Sequence, residues 1–259
     1  MNIRIELEKL KNITSRNFKP ILLGVVYGYP IYAYTEKNKQ RAKKHVTITS
    51  LFHGNEQAGY FGLRVAIMLN IFSKFQNIKT TIIPIVNPTG ASANTRQNIV
   101  FHNPNRGYFA NEKNHILSDE GKLFISHKPW FKKVAKDTLI SLHEDIDAKN
   151  PYVHINYSKK QNLHFEAIKQ SWNSLSLIPM SGAEIVKLKL VTNPSYVVEP
   201  GRIENDLTGG SFEDYVILEK ISYLAISTES PAHPSISTTV RKNLNFKYIE
   251  NLLKSINNI

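Results

Sequence analysis

The sequence predicts an α/β fold, a single domain built on a mixed sheet with helices covering both faces. Two observations carry that expectation. Apolar runs of strand length alternate with stretches of helical periodicity, and no repeat or Pro/Ser/Gly-rich linker divides the 259 residues. A β-rich opening segment spans 21–34 and turns at Gly28, Tyr29 and Pro30. The run 45–50 reads as a strand followed by a turn at Gly54. A helix starts near Glu56, with apolar Phe61, Val65, Met68, Leu69 and Phe72 spaced three or four apart. Residues 79–86 read as a buried strand that runs into a turn at Asn87, Pro88, Thr89 and Gly90. The stretch 87–115 is then long for a loop, and such loops inside compact domains are usually functional. A helix near 118–136 leads to a strand at 138–142. Extended segments near 152–157 and 195–199 enclose a helix at about 162–175. A short helix near 212–218, a strand at 221–227 and a last helix from about 237 to 255 complete the order.

With 41% apolar residues, 12 Gly and 12 Pro, the chain is globular rather than disordered and can bury a sizeable core. It has no cysteine, which excludes disulfides and thiolate metal sites and leaves His, Asp and Glu as the available metal ligands. The first nine residues mix charged and apolar side chains, unlike the apolar core of a signal peptide. No run approaches the ~20 apolar residues of a membrane-spanning helix. A cytoplasmic protein with no membrane partner is the expectation. The formal charge is +12, with Lys37, Lys39, Arg41, Lys43 and Lys44 clustered before the strand 45–50 and Lys132, Lys133 and Lys136 near a helix end. The plain reading is a solvated surface. The functional reading is a positive potential that draws acidic substrates into a cleft. No nucleic-acid partner is expected, because no RNP-like, helix-turn-helix or Cys/His finger pattern accompanies the basicity.

Polar clusters follow the apolar strands in series. His53 and Glu56 flank the turn after 45–50, and Asn87 to Gly90 follow 79–86. Thr95, Arg96, Gln97 and Asn98, then Asn103, Pro104, Asn105 and Arg106, occupy the long loop. His143, Glu144 and Asp145 follow 138–142, and Thr228, Glu229, Ser230 and Pro231 follow 221–227. The carboxyl ends of strands are where open α/β sheets build their sites. An imidazole and a carboxylate across the 53–56 turn can converge on one cation. Zinc takes such N/O ligand sets, with three protein ligands and one open position at a catalytic site. His-x-x-Glu alone is a weak signal; four placements in series read as a site. His143 taken alone reads as an ordinary strand-end histidine, and its place after His53 and Glu56 reverses that reading. A carboxylate at Glu229, if buried and unpaired, costs on the order of several kcal/mol, so it needs a Lys, an Arg or a water at a metal. Arg96 and Arg106 each carry a planar fork that grips a carboxylate in a two-pronged way that Lys cannot match. Glu144 and Asp145 read as groups that orient the site.

In this order of motifs, from about Gly24 to Glu229, the chain resembles the zinc carboxypeptidase superfamily. The compact spacing from Asn87 through Thr95, Arg96 and Asn98 to Asn105 and Arg106 is most similar to the bacterial murein peptide amidases. The resemblance implies one zinc carboxypeptidase-like catalytic domain over 1–259, arranged as α/β/α layers around a mostly parallel, twisted sheet. It implies one zinc ion on His53, Glu56 and His143, with Glu229 as general base and Arg96 stabilising the oxyanion. It also implies that Asn105 and Arg106 hold the free carboxylate of a small peptide substrate. The implied reaction is hydrolysis of a C-terminal amide, with a murein-derived peptide as the substrate class. A cis peptide between Glu144 and Asp145 is a further implication.

The chain departs from the family pattern at two places. The Asp that usually precedes the Asn-Arg pair is replaced by Asn103 or Pro104, and no substrate-capping Tyr stands near 203–205. Tyr108, Tyr152, Tyr196 and Tyr215 are the candidates to replace it. A related branch, the aspartoacylase and succinylglutamate desuccinylase amidohydrolases that act on N-acyl amino acids, shares the motif order. Its loop between the two arginines is shorter, and Thr95 to Asn98 fit the peptidase side better. A non-catalytic binding module is the other alternative, and retention of all three ligands and Glu229 argues against it. His102, His115, His127, His154, His164 and His233 show no partner pattern and read as structural or surface residues.

Overall fold

The computed structural model describes residues 1–109, 115–158, 163–191 and 193–258. Nine strands form one sheet: β1 (Phe18–Val26), β2 (Tyr29–Glu36), β3 (Lys44–Ser50), β4 (Ile78–Ile83), β5 (Thr138–Asp145), β6 (Tyr152–Tyr157), β7 (Val197–Glu199), β8 (Arg202–Glu204) and β9 (Leu224–Pro231). Their spatial order is β1-β2-β4-β3-β5-β9-β6-β8-β7. The four central strands β4, β3, β5 and β9 are parallel. The flanks are antiparallel at β1·β2, β2·β4, β6·β9 and β7·β8 and parallel at β6·β8, so the parallel character implied for the sheet is concentrated in its centre.

The helices are α1 (Ile3–Thr14), α2 (Gln57–Met68), α3 (Pro88–Ala93), α4 (Asp119–Ser126), α5 (Lys128–Val134), α6 (Leu163–Asn173), α7 (Gly182–Lys187), α8 (Phe212–Leu218) and α9 (Thr238–Asn257). They cover both faces, and side-chain alternation along the strands explains how. On β5 and β9, Ile140, Leu142 and Ile226 face a core shared with Leu63 of α2 and Tyr248 and Leu252 of α9. Leu139 and Ala225 face the other core, with Phe124, Phe131 and Phe212 from α4, α5 and α8. His143 and Glu229 have the parity of Leu139 and Ala225, so both lie on the α8 side of the sheet. None of the described helices is long and apolar enough to cross a membrane.

Several local readings change. The helix expected over 118–136 is two helices, because Pro129 sits in the first turn of α5 where it cannot continue α4. The strand before His143 continues through Asp145, so the histidine lies within β5 rather than after it. The opening hairpin turns at Tyr27 and Gly28, both with positive φ, one residue earlier than the Gly-Tyr-Pro reading.

Chain order also places the site. β3 leads through α2 to β4 on one side, and the chain then crosses back so that β5 pairs with β3 on the other. The crevice beyond the carboxyl ends of β3 and β5 is therefore a topological switch point, where open α/β sheets hold ligands.

Candidate metal centre and cleft

His53 lies just beyond β3, and its position depends on a close backbone approach. A Cβ on Gly54 would lie 1.9 Å from the carbonyl carbon of Gly90, so only glycine fits there. Asn87 braces the same contact: its Oδ1 accepts from the Gly90 amide at 2.8 Å and its Nδ2 donates to the Phe52 carbonyl at 3.3 Å. The Asn87–Gly90 motif thus positions the histidine loop rather than meeting a ligand itself. Glu56 is the N-cap of α2, and Phe52 stacks on the His143 ring at 5.8 Å.

These elements converge His53, Glu56 and His143, all buried, with one ligand atom from each lying within 4.8 Å of the others. The two imidazoles present Nδ1 inward: His53 Nδ1 is 2.7 Å from Glu56 Oε1, and His143 Nδ1 is 2.8 Å from Glu56 Oε2. Both Nε2 atoms are anchored outward. His53 Nε2 meets Asn103 Oδ1 at 3.0 Å, and His143 Nε2 meets Glu213 Oε1 at 3.4 Å. Outward anchoring of this kind fixes the tautomer and orientation of metal-binding histidines. Two imidazole nitrogens and a carboxylate make an N/O donor set that fits a metal ion.

The charges within the cluster oppose one another. Burial pushes His53 down to about 4, with Arg96 and His143 adding to the effect against the pull of Glu56. Burial acts the same way on His143, but Glu56 and Glu213 outweigh it and hold this histidine well above its usual range. Burial raises Glu56, yet the two histidines more than reverse it and keep the carboxylate ionised. The cluster as it stands therefore holds a proton on His143 between two carboxylates.

The remaining predicted residues surround the triad in a cleft of about 890 Å³. Glu229 is register partner to His143 and shares its face. Desolvation, with Glu56 and Asp145 adding to it, pushes Glu229 up to about 8 against His143 and Arg96. Arg96 reaches in from the loop with half its side chain exposed, and its Nη1 donates to Glu56 Oε1 at 2.9 Å. Arg106 lines the cleft, donates to the Asn105 carbonyl at 2.7 Å, and has no carboxylate within ion-pair distance among the described residues. Asn105 is used differently: its Oδ1 accepts from the Phe212 amide at 2.9 Å and its Nδ2 donates to Glu213 Oε2 at 3.0 Å. That amide is occupied in joining α8 to the His143 side of the centre.

No protein-family model matches the sequence, and no curated protein matches it. Solved structures do. A provisionally assigned metallopeptidase from Shewanella amazonensis superposes with a TM-score of 0.77 over 97% of this chain and 91% of that one, at 19% identity. A metallo-carboxypeptidase from Burkholderia cenocepacia gives 0.67 over 98% and 69%, at 16% identity. Carboxypeptidase A from Helicoverpa armigera gives 0.65 over 98% and 71%, at 15% identity. The chain has a metallocarboxypeptidase-like fold.

Within this carboxypeptidase-like frame several residues are better defined than sequence reasoning left them. Of Asn103 and Pro104, it is Asn103 whose side chain reaches the centre, where it holds His53. Glu213 was not among the predicted site residues, although it meets both His143 and Asn105; in sequence it reads as an ordinary acid in a helix's first turn. His154, read as structural or surface, lines the cleft. Of the four tyrosines, only Tyr152 lines the cleft, and its hydroxyl is committed to Asp145 Oδ2 at 2.7 Å. The cis bond implied between Glu144 and Asp145 is not observed: the described peptide bonds are all trans. The Glu144 carboxylate faces the protein, held by the Ala58 amide at 2.7 Å and Arg241 Nη1 at 2.6 Å.

Proposed function

We propose that this chain is a zinc-dependent hydrolase that cleaves the amide bond before the C-terminal residue of a small peptide, a murein-derived peptide being the substrate class favoured by the loop spacing. The observation that carries this reading is the convergence of His53 Nδ1, Glu56 and His143 Nδ1, with both outer nitrogens anchored and Glu229 on the same face. A zinc ion held by these three side chains would supply a Lewis acid that polarises the scissile carbonyl and lowers the pKa of water toward about 7.

The chain's own groups do the rest. Glu229, held near neutrality by its surroundings, accepts a proton from the attacking water and delivers it to the leaving nitrogen as the C–N bond breaks. A base poised near the working pH suits both transfers. Arg96, half exposed and held to Glu56 through Nη1, donates to the oxyanion that forms on the carbonyl oxygen. Arg106 grips the terminal carboxylate on the leaving side, where no carboxylate of the described residues competes for its fork. Asn105 positions His143 and α8 instead of contacting substrate.

The test is a turnover screen on zinc-loaded protein, setting murein tripeptides and tetrapeptides and N-acyl dipeptides with free carboxylates against N-acyl amino acids. Cleavage of a peptide series, abolished by chelation and restored by zinc, is expected. Cleavage of N-acyl amino acids alone would move the chain to the aspartoacylase-like reading.

A further inference from the structure

The cleft lies at the carboxyl ends of the parallel strands, and its lining is acidic: eight Asp or Glu side chains against four Arg or Lys. The net charge of +12 must therefore gather elsewhere. It gathers at the opposite, amino edge of the sheet. β3 spans seven residues, which sets the two edges ~20 Å apart. The segments that meet at the amino edge are 37–44, 74–79, 132–137, 219–223 and 254–257. They carry twelve Lys or Arg and two acids, Asp137 and Glu219.

Hydrogen bonds join these segments into one surface. The Lys43 and Lys44 amides both donate to the Asn77 carbonyl at 3.0 Å, and the Asn77 amide donates to Asn257 Oδ1 at 3.3 Å. Lys44 Nζ reaches the Ile256 carbonyl at 3.0 Å, which ties in the end of α9. The His45 amide donates to Asp137 Oδ2 at 2.7 Å, and the Tyr223 amide to the Lys136 carbonyl at 3.0 Å. Part of the charge is structural. Lys39 is buried on the Phe72 and Phe75 carbonyls, and lysines in the last turns of α5 and α9 suit the helix dipole. Both acids are engaged, Asp137 with the His45 amide and Glu219 with Lys128. Arg41, Lys43, Lys74, Lys132, Lys133 and Lys254 remain, all exposed, with no carboxylate within ion-pair distance among the described residues. Like charges gathered on one face repel one another, and a surface of opposite sign relieves that.

Apolar side chains stand at the same edge. α2 runs to it from the cleft and ends in Met68 and Leu69, each 61% exposed, just before the turn Ile71–Lys74. Tyr223, 59% exposed, stands at the start of β9. We propose that this amino edge docks on an anionic lipid surface, with the cleft facing away from it. The cations pair with the headgroups while Met68 and Leu69 enter the acyl boundary. A nucleic acid would use the cations and Tyr223 but has no place for two projecting aliphatic side chains, so the lipid surface fits better. The expectation of no membrane partner rests on the lack of a spanning run, which a protein lying on a surface does not need.

Co-sedimentation of the full chain with vesicles tests this, using phosphatidylcholine alone or mixed with phosphatidylglycerol. Native protein is expected to bind the anionic vesicles at least ~10-fold tighter, with the difference shrinking as salt rises. Lys132→Glu with Lys133→Glu should weaken that binding at least ~10-fold, because each lysine near the surface contributes. Lys149→Glu with Lys187→Glu changes the net charge equally but lies away from this edge, and should weaken it far less. Met68→Ser with Leu69→Ser should weaken vesicle binding several-fold and leave binding of a single-stranded oligonucleotide unchanged. All three pairs are surface changes, and each is compared at a native-like melting temperature. Equal binding of native protein to both vesicle types overturns the proposal without any variant. Equal losses in the two charge-reversed pairs would make the attraction a property of net charge and overturn it too. Vesicle binding that survives Met68→Ser with Leu69→Ser, beside tighter oligonucleotide binding, overturns the lipid surface in favour of nucleic acid.

Discussion

At the triad end of the cleft, every side-chain nitrogen and oxygen of His53, Glu56 and His143 has a protein partner within 3.4 Å. At the far end, among the described residues, Asn156 Oδ1 has no hydrogen-bond partner and Asp214 has no Lys or Arg within ion-pair distance. The triad carries its own positive charge because Glu56 bridges two histidines and a proton on His143 lies between carboxylates. A metal ion entering there must displace that proton, so binding and proton release are coupled. The far end has no such charge among the described residues: Asp214 is held by neutral donors, the Asn156 side-chain amide and the Ser211 backbone. One end thus supplies its own positive charge, and the other meets its carboxylate with neutral donors.

The largest effect that would sharpen this contrast is expected at Glu229. Glu229→Gln should lower turnover by at least the ~100-fold typical of a lost general base while zinc stays bound. Native-rate hydrolysis by the variant would remove Glu229 from the reaction. The same variant has an effect on stability with a definite sign. The folded-state pKa of about 8 lies above the ordinary 4.5, so this group's contribution is full below 4.5 and is lost as pH rises through 8. The metal-free variant should therefore melt higher than metal-free native protein at pH 8, and the gap should close below pH 4.5. Melting curves at the two pH values check it, and an unchanged gap would contradict the assigned shift.

A smaller effect is expected behind the triad. Asn103→Ala removes the acceptor that orients His53 and should weaken zinc by roughly 10–100-fold, as losses of outer partners do. Competition with a chromogenic chelator measures this; full affinity would mean that the backbone alone orients the ring. Smallest is Arg106→Lys, which keeps the charge and loses the fork. It should raise KM by about 10-fold on a substrate with a free carboxylate and change little on the corresponding amide. Equal losses on both substrates would mean that Arg106 and the carboxylate do not meet.

The triad was legible in the sequence because ligand chemistry restricts residue type. His53 and Glu56 are close in sequence, and His143 and Glu229 follow apolar runs that can only be central strands. The sheet's parallel centre followed from the same runs. Glu213 and Asn156 were not legible. Glu213 looks like a helix-capping acid until α8 is packed against β5, and Asn156 is orphaned only in relation to Asp214, 58 residues away. α1 was missed as well: its apolar positions are interleaved with charges, and Tyr60 and Arg64 of α2 pair with Glu6 only in the folded protein. β8, at three residues, is too short to show a period and exists through its pairing with β6. The +12 charge was misleading about the cleft for a similar reason: composition sums over the whole surface, and the cleft collects the acids.

The central claim is that His53, Glu56 and His143 form one metal site. Its most direct test is the zinc content of chelator-stripped, reconstituted protein beside His143→Ala, with proton release followed by calorimetry in buffers of different ionisation enthalpy. The account predicts one tightly held zinc per native chain, about one proton released on binding near neutral pH, and loss of the ion in the variant. Absence of stoichiometric zinc in native protein, or its full retention after His143→Ala, would contradict it.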